Sequence, residues 1–461
     1  MDIAIIIAYL AGILILGIWA GRGIKNITHF SVANRSFGKW IIFATLSASF
    51  IGGGFSMGNA EKVFIFGIVN IFALWGFSFS EILVSIFIAP KIRNYPDAIS
   101  VGDIMAKHYG RPAKIVTGIL SVLVCGGILG AQVGAIGYIF NIFLGLPQLY
   151  GILIGYGIVI TYSTIGGMRA VVFTDIVQFI ILTIGIPVTL IFGIQYAGGW
   201  SSVKSAIPAG HLTFLGTQKT TLQFIVLFLS FMFGEPLVPP YIQRLFLSKD
   251  SISTTKATFW SGLFSIPFFT ITGAIGLVAL AINPALNPNL SMPFVINRVL
   301  PVGLKGIVIA SIISIVMSSA DSFLNAASVA FTHDILVPIR KKTITGRQIL
   351  IFARLITIFV GILAVVFAIK IKSILDILLY SYNFWSPVIL VPLVTAILGM
   401  KTTQKQFIFG SAAGLLSVFI WKFLLHSPAG IDGLIIGIAT NFLVFMTIYQ
   451  FDNKNVIREN E

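Results

Sequence analysis

Residues 316–328 read VMSSADSFLNAAS. Within eight of these residues stand Ser318, Ser319, Asp321, Ser322 and Asn325, in a stretch otherwise apolar enough for lipid. With Ser311, Ser314 and Ser328 they recur at spacings of three and four, which places them on one face of a helix. Ile312, Ile313, Val316, Phe323 and Leu324 take the opposite face. A lone membrane serine is satisfied by its own helix or a neighbour. Asp321 is different, because an ionisable group at mid-membrane costs about 2.5–3.5 kcal/mol and usually faces a cavity, an ion or a partner. The face offers oxygen and neither sulfur nor imidazole; His333 lies beyond it and reads as interfacial. Oxygen ligands suit hard cations, and a monovalent one such as sodium fits. A second carboxylate, Asp175, lies in TYSTIGGMRAVVFTDIVQF (161–179), beside Thr174 and Gln178. From the residues alone it is either a helix-start aspartate near the membrane surface or part of such a site. Glu81 and Glu235 are two more acids in apolar surroundings. Each could relay a proton, meet a cationic solute or pair with an arginine such as Arg244.

The elements that carry these groups follow from composition. The chain has 461 residues, 57% hydrophobic and 10% charged. Apolar runs of about 20 residues mark transmembrane helices. Such runs occur at roughly 2–21, 39–60, 67–90, 115–142, 147–166, 172–197, 222–247, 258–282, 304–334, 349–370, 375–398, 406–425 and 431–450, about thirteen in all. The first lacks a basic leader and reads as a retained helix. The net charge of +15 does not call for nucleic acid. With the N-terminus outside, 22 of the 30 Lys and Arg residues fall in one set of loops, among them Arg22, Lys25, Arg35, Lys91, Arg93, Arg244, Lys341 and Lys342. Lys62, Lys204, Lys219 and Lys372 are among those on the other side. The positive-inside rule then puts the C-terminus in the cytoplasm. A single cysteine, Cys125, excludes an internal disulfide.

Two spans carry breaks. ASFIGGGFSMGNAE (48–61) has three adjacent glycines and Gly58. FGEPLVPPYIQR (233–244) has three prolines. Glycine loosens a helix and proline removes backbone donors. Small residues that ease helix packing account for GILGAQVGAIG (127–137) better than for either of these. Interrupted helices five spans apart point to inverted repeats with a binding site at the breaks. The expected organisation is a first helix and loop (1–38), repeat one (39–197), repeat two (222–398), and peripheral helices with a tail (399–461).

These residues resemble the sodium:solute symporters, over roughly residues 1–450. TYSTIGGMRAVVFTDIVQ and MSSADSFLNAASVAFTHDI are similar to family segments, and ASFIGGGFSMGNAE with SSADS is closest to the choline-transporter branch. The resemblance implies an all-α polytopic membrane fold of LeuT type, a five-plus-five inverted repeat with discontinuous helices. It implies a principal sodium site from Ser318 and Ser319 hydroxyls with carbonyls of Ala48, Ile51 and Ile315. Members with a second sodium have counterparts here in Asp175, Ser318, Asp321 and Ser322, so one or two ions are expected. Phe50, Ile128 and Val238 stand where the choline branch places tryptophans, and Phe77 where it places a tyrosine. That loss argues against choline itself, since tryptophan is the better cation platform. Phe55 replaces a polar sugar contact. Phe50, Phe55, Phe77, Gln132 and Phe228 are the expected solute contacts.

The function expected is sodium-coupled import of a small organic solute by alternating access, in the plasma membrane or a bacterial inner membrane. Membrane lipid surrounds the protein, and monomer and homodimer both stay open. A proton-coupled carrier using Asp321, Glu81 or Glu235 is the alternative, with a channel behind it. No HExxH or P-loop pattern points to an enzyme.

Overall fold

The computed structural model describes residues 1–217, 220–340, 345–370 and 381–459, side chains from 453 onward and at 370 excepted. Lys219, Lys341, Lys342, Lys372 and the first part of the span expected at 375–398 lie outside these residues. The described chain is helical, and its one β-bridge joins Phe37 and Ser248. In chain order the principal helices are α1 (Asp2–Ala20), α2 (Lys39–Phe50), α3 (Asn59–Phe66), α4 (Val69–Phe87), α5 (Val101–Leu144), α6 (Gln148–Tyr196), α7 (Thr221–Gly234), α8 (Pro239–Phe246), α9 (Ser251–Ile282), α10 (Leu304–Val329), α11 (Gly346–Lys370), α12 (Val391–Leu398), α13 (Gln404–Phe419) and α14 (Gly433–Glu459).

Both expected breaks are present. The chain bends by 63° where α2 gives way to Gly54–Phe66 and by 50° between α7 and α8. At the first, Ile51 leaves helical geometry (φ −87°, ψ 62°), and a wider turn follows over Gly54–Gly58. Asn59 then anchors α3, its amide donating to the Phe269 carbonyl and to Thr272 Oγ1, both at 2.8 Å. At the second, Leu237 adopts φ +64° and Pro239 starts α8. Proline at a helix start costs nothing, since that N–H has no intrahelical partner anyway.

Among the described residues ten helices are long and apolar enough to cross a membrane, or up to twelve if each bent pair is one span. That is fewer than the expected thirteen. The difference lies in α6. Its 49 residues would extend about 73 Å at 1.5 Å per residue, against a hydrocarbon core of about 30 Å. The sequence reading divides it into two runs, and Gly167 takes φ +47° between them.

Burial ranks the helices. The apolar window of the span that begins with α10 is 94% buried, whereas those of α1 and α14 are 33% and 22% buried. α10 packs chiefly against α5 and α6 and also touches α1, α2 and α8. Its polar face therefore meets protein: Ser311 Oγ lies 3.0 Å from the Ile181 carbonyl, and Ser314 Oγ lies 2.8 Å from the Tyr9 hydroxyl. Ser328 bonds back to the Leu324 carbonyl at 2.7 Å. The Asn325 amide is wholly buried with neither polar atom bonded.

Candidate functional site

The end of α2 leaves carbonyl groups without intrahelical partners, and the negative end of a half-helix dipole lies there. α10 brings two hydroxyls to them. Ser318 Oγ sits 2.8 Å from the Ala48 carbonyl and 3.2 Å from that of Ile315. Ser319 Oγ sits 2.7 Å from the Ser49 carbonyl and 3.3 Å from that of Ile315. Two hydroxyls and three carbonyls thus converge in a region almost without exposed surface. This is a hard-cation donor set. Ala48, Ile315, Ser318 and Ser319 meet as expected. Ile51 is buried nearby but no hydrogen bond ties its carbonyl to the serines; its turned ψ redirects that carbonyl, and Ser49 supplies the contact.

The four expected ligands of a second ion are also neighbours, but a fixed cation stands among them. Asp175 is wholly buried, which removes the surface helix-start reading. Its Oδ2 accepts from Thr45, from Ser49 Oγ at 3.1 Å and from Arg244 Nη2 at 3.2 Å. The Arg244 guanidinium also donates to Ser322 Oγ, to the Thr45 carbonyl at 3.2 Å and to the Pro240 carbonyl at 3.1 Å. Ser322 Oγ is in turn 3.0 Å from Asp321 Oδ1, and Asp321 Oδ2 accepts from Tyr162 at 2.6 Å. Ser318 touches this cluster through its carbonyl, 2.6 Å from Ser322 Oγ, and not through its hydroxyl. Arg244 is fully buried, so the expectation that it is a cytoplasmic loop charge is wrong. Every residue of α8 is buried, and burial of that kind requires an arginine to find a carboxylate. Arg244 pairs with Asp175, so it does not neutralise Glu81 or Glu235.

Beside the cation-type site lies a narrow cavity. Gly52 and Gly54 of the first break, Glu235 of the second break and Ser319 of α10 all line it. The rings of Phe50, Phe55, Phe323 and Tyr382 close it, and the Gln132 amide from α5 reaches in. Gln132 Oε1 accepts the Gly53 N–H at 3.3 Å, tying α5 to the break.

Residues 30–414 match the family model of the sodium:solute symporters. The chain belongs to the sodium:solute symporter family. The symporter is 24% identical over 446 residues to high-affinity choline transporter 1 of Caenorhabditis elegans, covering 90% of this chain and 76% of that one. It is likewise 24% identical to the high-affinity proline transporter PutP of Bacillus subtilis, over 90% of this chain and 96% of the relative. Among solved structures, a Na+-coupled sialic acid symporter in a substrate-bound outward-open state superposes with a TM-score of 0.81 at 18% identity, over 96% of both chains. The fold is accordingly the LeuT-type all-α architecture, and the protein is a multi-pass membrane transporter of small solutes, not an enzyme.

The solute contacts expected in the symporter separate once placed. Phe50, Phe55 and Gln132 line the cavity. Phe77 stands behind them, its ring 6.3 Å from Phe50 and 5.6 Å from Phe55. Phe228 does not join them; its ring packs 6.2 Å from Phe224, and Phe231, one turn on, meets Phe55 at 5.7 Å. Glu81 lies outside the lining, its Oε1 accepting from Ser261 Oγ at 3.1 Å. The sequence pattern gave no sign of Thr45, Ser49 and Tyr162, and it offered Arg244 as a loop charge or a partner of Glu81 or Glu235, not of Asp175. The signal for Arg244 was the number of buried acids needing a cation; the hydroxyls carried none.

The close approach at the break depends on glycine. A Cβ on Gly52 would lie 2.8 Å from Ser319 Oγ and 2.9 Å from Gln132 Nε2. If the ion held there is sodium, Gly52→Ala, which must displace Ser319 or Gln132, is expected to weaken the sodium dependence of uptake about tenfold, the equivalent of about 1.4 kcal/mol. Gly12→Ala, with nothing within 4 Å of its added carbon, serves as the neutral control. Equal sodium dependence in both variants would contradict this placement.

Proposed function

We propose that this protein imports a small organic solute with sodium by alternating access. The observation that supports this best is the meeting of Ser318 and Ser319 with carbonyls freed at the end of α2, directly beside the cavity. An ion bound there would draw α10 to the broken helix and order Gly52–Gly54, so that ion and solute bind cooperatively. Helices 39–197 and 222–398 would form the two inverted repeats, rocking against each other around the site. The N-terminus would lie outside, and the loops rich in Lys and Arg would face the cytoplasm.

One sodium per cycle is the stoichiometry favoured. The Arg244 guanidinium donates to Asp175 and Ser322, two of the four groups a second ion would need. It supplies there the charge a second ion would bring. Each coupled charge moving through 100 mV contributes about 2.3 kcal/mol, roughly 50-fold accumulation. The test is solute uptake into proteoliposomes with imposed gradients. A sodium gradient should drive accumulation with a Hill slope of one. Accumulation in sodium-free buffer under a pH gradient would transfer the account to a proton-coupled carrier.

A further inference from the structure

Glu235 ends α7 at the 50° bend, two residues before Leu237 with its φ of +64°. A leucine held at positive φ is costly backbone, of the kind that persists where the surrounding structure fixes a functional group. The side chain is 5% exposed, lines the cavity, and its Oε2 has no hydrogen-bond partner. Glu235 forms no ion pair among the described residues, and the buried arginine of the neighbouring α8 is committed to Asp175. The titratable groups acting on Glu235 are Tyr382 and Glu81, and neither is basic. A buried ionised carboxylate costs several kcal/mol unless paired. The walls around it are rings: Phe50, Phe55, Phe323 and Tyr382. Aromatic faces attract cations, more strongly once water is excluded. An anionic solute would meet the Glu235 carboxylate there.

We propose that Glu235 is the charge-recognition group of this cavity and that its solute is a small organic cation, with the aromatic rings enclosing the apolar part. Gln132 adds a neutral polar contact to the lining, suited to a hydroxyl or carbonyl on the same solute. The proposal rests on the symport reading and names the solute class for it. It also explains how the cage can lack tryptophan: a formal negative charge takes over attraction that a richer π surface would provide.

The test uses the purified full chain and thermal unfolding in NaCl and in KCl of equal ionic strength. The probes are choline, tetramethylammonium and ethylammonium as cations, 3,3-dimethylbutan-1-ol as the uncharged shape of choline, and acetate as an anion. At least one cation should raise the melting temperature in sodium, at a concentration about 30-fold or more below that needed by the uncharged isostere. Glu235→Gln should raise the required cation concentration about 30-fold or more, while Glu235→Asp keeps part of the response. The shift produced by sodium itself reports whether each variant is folded. Equal responses to choline and its isostere, an intact cation response in Glu235→Gln, or no cation response in sodium would each overturn the proposal. If sodium fails to stabilise the wild-type chain over potassium, the symport reading beneath it falls as well.

Discussion

Ser318→Ala combined with Ser319→Ala is expected to abolish sodium-dependent uptake while the protein still folds and inserts. Each hydroxyl reaches both the α2 end and its own helix carbonyl at Ile315. Its net contribution to folding is therefore ordinary, about 1 kcal/mol, and alanine leaves no buried donor unsatisfied. Toward a cation the loss is larger. Hydrogen-bonding groups facing a charge are worth about 1.5–3 kcal/mol each, so two amount to roughly 100-fold or more in sodium affinity. Initial uptake rates against sodium concentration, beside a melting curve, separate the two effects. Unchanged sodium dependence in a folded double variant would reject the site.

The second large effect concerns Arg244. Arg244→Met leaves the wholly buried Asp175 without its counter-charge, and breaking a buried pair costs about 3–5 kcal/mol. The single variant should therefore unfold at markedly lower temperature. Adding Asp175→Asn should recover much of the loss, because no lone charge then remains; a double-mutant cycle reads the coupling. If the guanidinium holds the place of a second ion, sodium should rescue Arg244→Met more than potassium does. Asp175, Asp321 and Ser322 would then be free to ligate it. A loss of stability that is the same in both salts would show that the arginine is only a structural partner.

The contrast between these two sites explains what was legible in the chain. Serines at helical spacing, an aspartate among them, and runs interrupted by glycines or by prolines are strong local signals: the serines share a buried helix and both interrupted runs are bent. They are legible because a bilayer penalises polar groups and broken helices, so each one present marks a reason. Ligands that act through backbone carbonyls are harder. The Ser49 carbonyl meets Ser319 where that of Ile51 does not, because the exact residue at which α2 unwinds decides where each carbonyl points, and side-chain type does not report that. Arg244 was misplaced because a charge near a span end reads as a loop charge, while only the packing of α8 shows it buried. Phe228 lies outside the cavity lining for a related reason: a helix rich in phenylalanine does not reveal which ring turns inward, and Phe231, three residues on, is the one that packs against Phe55 behind the lining.

The central claim is that the end of α2 and the serines of α10 together hold one sodium ion. The most direct measurement is a titration of the melting temperature with NaCl against KCl at constant ionic strength, on the wild-type chain and on Ser318→Ala/Ser319→Ala. The account predicts saturable stabilisation by sodium alone in the wild type, described by a single site, and none in the double variant. Equal stabilisation by both salts, or a sodium response that survives loss of both hydroxyls, would contradict it.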